Sequence, residues 1–129
     1  MSYVAALSGP DLDYGKGLWQ LLRNNEDFPI QGVLWLLEPE AGEYRLIITS
    51  SKVDSLGLRH AYRELAEVTR SIPAGFGQQF RIELMSPRHP VYQALRSVFA
   101  HTTAVEGTRL GNTMVGGTYI DDAYLYEVR

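Results

Sequence analysis

The sequence predicts an α+β domain: a largely antiparallel sheet with about three helices packed mainly on one face. Three observations carry that expectation. An apolar run from Ile30 to Glu38 is followed by a turn and a returning run from Glu43 to Ser50, two later stretches show helical periodicity, and the residues from Thr102 onward read as strands and turns throughout. A length of 129 residues suits a single domain spanning 1–129, and no repeat period or linker divides it.

The first helix is expected over Asp11 to Asn25, with Asp11 or Asp13 as N-cap and Leu18, Leu21 and Leu22 on one side. Gly15 and Gly17 weaken it, since glycine costs up to about 1 kcal/mol relative to alanine in a helix interior. Ile30 to Glu38 is too uniformly apolar for a strand with one wet face and reads as a central strand covered on both sides. Pro39-Glu40-Ala41-Gly42 carries turn chemistry, so Glu43 to Ser50 returns antiparallel to it.

After Ser51 the period lengthens, and Leu58, Ala61, Tyr62, Leu65, Val68 and Ile72 recur at steps of three and four. This predicts a second helix capped by Asp54 or Ser55, stopped at Pro73-Ala74-Gly75, with Arg63 and Glu67 as an i,i+4 pair. Gln79 to Met85 alternates, placing Phe80, Ile82 and Leu84 on one face and Arg81, Glu83 and Met85 on the other. Ser86 or His89 caps a third helix that opens at Pro90, with Val91, Leu95, Val98 and Phe99 as its apolar stripe. The tail divides into strands at Thr102–Arg109, Thr113–Ile120 and Ala123–Val128, with turns at Gly111-Asn112 and Asp121-Asp122. In the last strand, alternation sets Tyr124, Tyr126 and Val128 against Ala123, Leu125 and Glu127.

Composition narrows the function classes. The chain has no cysteine, which excludes a disulfide scaffold, a cysteine-ligated zinc or iron–sulfur site and a thiol nucleophile. Met1 to Leu7 has neither a basic region nor a long apolar stretch, and the longest apolar run, Val33 to Leu37, is far short of a membrane span. A cytoplasmic protein with no membrane partner is expected. Ten arginines against two lysines, Lys16 and Lys52, are attributed to genome composition.

The net charge of −3 is unevenly spread: residues 1–57 carry −4, residues 58–101 carry +3 and residues 102–129 carry −2. The basic middle holds Arg59, Arg63, Arg81, Arg88, His89, Arg96 and His101, the candidate contacts for an anion. Ser86-Pro87-Arg88-His89-Pro90 is the most suggestive stretch, because backbone N–H groups at a helix start beside Arg88 and His89 form a phosphate or oxyanion cradle. The acidic total opposes general nucleic-acid affinity, which needs many phosphate contacts.

Other signals are shorter. Tyr119-Ile120-Asp121-Asp122 resembles the tyrosine-x-Asp-Asp hairpin of reverse transcriptases, and the resemblance implies Mg²⁺ held by Asp121 and Asp122; it covers four residues and no palm domain. His101-Thr102-Thr103-Ala104 resembles one copy of the His-x-Thr-x signature of two-histidine phosphoesterases, and neither His60 nor His89 supplies the second. The three histidines have no metal-ligand spacing, and the glycines at 107, 111, 116 and 117 fit no phosphate-loop pattern and read as hairpin and bulge residues. Tyr119, Tyr124 and Tyr126 form either an exposed aromatic stripe for a partner or, the favoured alternative, a buried face with hydroxyls at its edge.

The sequence-level reading is therefore a small interaction module or accessory subunit of a larger bacterial-type system. It acts through protein contacts, including contacts with itself as a homo-oligomer, with no cofactor and no metal expected and catalysis not anticipated. The alternative is a phosphate-handling enzyme or nucleic-acid-binding domain built on residues 58–101.

Overall fold

A computed structural model describes residues 6–71, 81–100 and 105–129. In chain order the elements are helix α1 (Gly9–Arg23), strands β1 (Gly32–Glu38) and β2 (Glu43–Thr49), helices α2 (Lys52–Leu56) and α3 (Leu58–Val68), a 3₁₀ turn (Thr69–Ser71), strand β3 (Arg81–Met85), helix α4 (Pro90–Phe99), and strands β4 (Thr108–Val115) and β5 (Thr118–Val128). The five strands form one sheet in the order β3-β2-β1-β5-β4. All its pairs are antiparallel except β2 with β3, which the intervening α2 and α3 make parallel.

The α+β architecture and the β1–β2 hairpin stand as the sequence predicts, with Gly32 opposite Thr49 and Glu38 opposite Glu43. β1 is covered on both sides: Val33 and Trp35 face α1 and α3, and Leu34 faces α4. Val53 of α2 joins the α1/α3 layer, so three helices lie on one face and α4 stands alone on the other.

Several local expectations need correction. The N-cap of α1 is Ser8, which forms a capping box with Asp11, and Pro10 occupies the first turn. The second predicted helix is two, because Gly57 at φ 83° breaks the helix between Leu56 and Leu58, and neither Asp54 nor Ser55 is its cap. Glu67 pairs with Arg70 at 2.7 Å instead of Arg63. His89 does cap α4, its Nδ1 accepting from Val91 N at 3.1 Å. The predicted stop at residues 73–75 and the start of the third strand at Gln79 and Phe80 lie outside the described residues.

The tail differs most. Gly111-Asn112 and Asp121-Asp122 are not turns; they lie within β4 and β5, where Gly111 pairs with Asp122. The turn is Gly116-Gly117, both at positive φ as a tight two-residue hairpin requires. Leu110 and Val115 both join the α4-side cluster despite opposite parity, as do Ile120 and Ala123, so both strands change phase around Asn112, itself at φ 45°. The turn then lies against α4, and a Cβ at Gly116 would fall 2.9 Å from Ala94 Cα.

A second phase change sits at Tyr126. Leu34 pairs with Leu125 and Val33 with Glu127, so Tyr126 is the extra residue of a bulge. The strict alternation expected for this strand therefore fails: Tyr124, Tyr126 and Glu127 all turn to the α1 side and Val128 to the α4 side. The Tyr126 hydroxyl accepts from Trp35 Nε1 at 3.1 Å and donates to the Leu12 carbonyl at 2.6 Å, and its ring stacks on Trp19. Trp19 Nε1 donates to Glu127 at 2.7 Å, and Arg23 lies over the Trp19 ring. Burial is the main reason the Tyr126 phenol is pushed up to about 12, so it stays a neutral donor.

Tyr126→Phe removes both hydrogen bonds of the Tyr126 hydroxyl, the one from Trp35 Nε1 and the one to the Leu12 carbonyl, and should cost about 1–3 kcal/mol in urea unfolding. Gly15→Ala should also destabilise, by about 1–3 kcal/mol net, although alanine is the better helix former. A Cβ there would collide with the Tyr126 hydroxyl and lie 2.7 Å from Trp35 Nε1. An unchanged midpoint for either variant would show that α1 is not held at this point.

Candidate functional site

Three places bring chemically useful residues together. The first is a cleft of about 450 Å³ on the α4 side of β1, β2 and β3, which α4 leaves uncovered. Leu36, Ile47, Met85 and Val91 supply apolar walls, and Arg45 lies among them with Glu38 and Glu83. Arg45 Nη1 is 3.4 Å from Glu83 and 3.8 Å from Glu38, and Arg45 Nε is buried without a hydrogen-bond partner. Sequence reading missed this cluster, because its members come from three strands and only the register aligns them.

The second place is the end of the parallel β2–β3 pair, where the anion cradle is expected. Here the chain supplies its own carboxylate. Asp54, from the first turn of α2, accepts from Ser86 Oγ at 2.7 Å and lies 3.9 Å from Arg88 Nε. Ser86 Oγ in turn accepts from Arg88 N at 3.0 Å, and His89 caps α4 with its own ring. Arg59 and Arg63 belong to α3 on the opposite side of the sheet from Arg96 of α4, so the described basic candidates do not converge. His60 likewise lies on α3, whereas His89 caps α4. His101 falls outside the described residues, as does the side chain of Arg81.

The third place is the bend in β5. Asp122 receives Arg109 Nε at 2.7 Å and Arg109 Nη2 at 2.5 Å in a two-pronged pair, and the Tyr44 hydroxyl also donates to it. The Arg109 hydrogen bonds are the main reason its carboxyl titrates below the usual carboxylate range, with partial burial opposing them. Burial, then the bond to Asp122, raises the Tyr44 phenol. Asp122 is thus tied to a cation and a phenol, and among the described residues no group of three or more His, Asp or Glu could hold a metal ion.

The three tyrosines separate. Tyr126 is buried and Tyr124 half-buried against it at 5.3 Å between ring centroids, but the Tyr126 hydroxyl lies inside the core against Trp35 rather than at an edge, Leu125 is fully buried as well, and Tyr119 is 52% exposed. Across the ladder from Tyr119 is Met114, 62% exposed and the most open large apolar side chain described. The Gly-Gly dipeptide is the signal that would have found this pair, since a two-residue turn at 116–117 sets residue 114 opposite 119. No described helix is long and apolar enough to cross a membrane.

The chain matches no protein-family model, no curated protein and no solved structure.

Asp122 gives a pH test with a defined sign. Its folded pKa is depressed, so the ion pair stabilises fully above the ordinary carboxylate pKa of about 4 and its contribution is lost as pH falls through the folded value. Asp122→Asn should cost about 1 kcal/mol at pH 7, a figure discounted for the half-exposed arginine, and the cost should shrink as pH falls through the lowered folded value. A penalty independent of pH in thermal melts would show that charge at Asp122 is not what stabilises the bend.

Proposed function

We propose that this chain is a small non-catalytic interaction module that binds protein through the β4–β5 hairpin. The observation that supports it is the Met114–Tyr119 pair: two large apolar side chains, neighbours across the ladder, left open beside an edge strand. Tyrosine and methionine are among the residues enriched where proteins meet. β4 also lacks lysine and proline, which blunt many edge strands, and its single charge, Arg109, is occupied by Asp122. The reading built on residues 58–101 has no comparable support, since its described members lie on opposite sides of the sheet and Asp54 sits in the expected anion cradle.

Affinity capture with the tagged full chain from host lysate, with nuclease treatment, tests this reading. The wild type should retain a nuclease-resistant protein or a second copy of itself, and Tyr119→Ser should reduce recovery about tenfold, the loss of roughly 1.4 kcal/mol. Equal recovery by the variant, or recovery of nucleic acid alone, would overturn the proposal.

A further inference from the structure

The two edges of the sheet are not equivalent. At one end, β3 directs its Leu84 N–H to the hydroxyl of Tyr62 on α3, at 2.9 Å, rather than to β2. A side chain of the chain itself thus takes up a group with which another strand would otherwise pair. At the other end, no described residue covers β4 at Met114 in this way.

The ladder fixes which groups β4 offers. In antiparallel pairing, residues alternate between those whose N–H and C=O face the neighbouring strand and those whose groups face away. A two-residue turn makes the closing pair, Val115 and Thr118, a hydrogen-bonded one. Met114 is the next residue back, so its N–H and C=O point outward from the sheet while its side chain is open on the face it shares with Tyr119.

We infer that a second copy of this chain occupies this edge, pairing antiparallel about a two-fold axis at Met114. This deepens the proposed function and rests on its reading of the hairpin. At such an axis Met114 meets Met114 of the other copy, and each donates its N–H to the other's carbonyl. The two Met114 and two Tyr119 side chains then close into one apolar cluster. The arrangement is isologous, because the same residue supplies donor and acceptor on both sides. It also terminates itself: the joined sheet ends on both sides in β3, with Leu84 already bonded to Tyr62. Arg109 lies outside the paired segment and is bound to Asp122, so no like charges meet at the axis. The left-handed Asn112 confines regular pairing to Thr113–Val115. Three residues per copy fall far below the roughly 1,600 Å² of a standard interface, so the dimer is reversible and concentration-dependent.

Sedimentation velocity on the full chain, from low micromolar to near-millimolar concentration, reads this directly. The wild type should shift from monomer to dimer and no further. Met114→Pro removes the N–H that crosses the axis while sparing the bonds to β5, and should stay monomeric. Met114→Lys places two ammonium groups at the axis and should be monomeric at low salt, with partial recovery at high salt. Circular dichroism melts establish that each variant is folded, and Met114→Lys decides if the proline variant is not. A wild type that is monomeric throughout, or folded variants that dimerise like it, would overturn the inference. If the wild type is monomeric while Tyr119→Ser still loses a captured host protein, the second copy is excluded and the interaction module stands. If neither effect appears, both fall.

Discussion

The Tyr126 hydroxyl is the contact on which the arrangement of layers depends. It joins Trp35 on the central strand, Leu12 on α1 and its own strand β5, three segments distant in sequence. Its reach comes from the bulge, which turns Tyr126 and Glu127 together toward α1. Gly15 is the counterpart on the helix, because only a residue without a side chain lets α1 come this close. A bulge, a phenol and a glycine therefore set the height of α1 above the sheet, and Trp19 fills the space that this height leaves.

Many polar residues that look available in the linear sequence are spent on structure. Asp54 reaches from α2 to hold the β3–α4 loop, Asp122 binds Arg109 and Tyr44, and Glu127 receives Trp19. Each partner lies far along the chain or on another element, so the pairing is a product of topology rather than of local spacing. The surface that remains open at the β4 edge is apolar, which is the chemistry of association.

Legibility from sequence followed the range of the determining interaction. The β1–β2 hairpin and the start of α4 were readable because apolar run, turn chemistry and cap fall within a few residues of one another. The break at Gly57 was obscured because the apolar period continues across it, from Val53 through Ala61 and Leu65. In the tail, Gly111-Asn112 and Asp121-Asp122 have the composition of turns, yet facing one another across two strands they produce a bend instead. At the candidate site, Tyr119 was visible as an aromatic, whereas Met114 required the correct hairpin before it could be paired, and Arg45, Glu38 and Glu83 required the sheet register.

The place of β5 in the sheet has a consequence for how the chain reaches its structure during synthesis. The last described strand lies between β1 and β4, and α1, the first described element, is anchored to it. A chain emerging from the ribosome can close β1 on β2 early, but it exposes the apolar α1-facing and α4-facing sides of β1 until residues 118–128 arrive. Every contact that docks α1 through Tyr126 spans nearly the whole chain, which raises contact order and slows the final step. The docking of α1 on the sheet therefore waits until residues 118–128 are available to pair with β1.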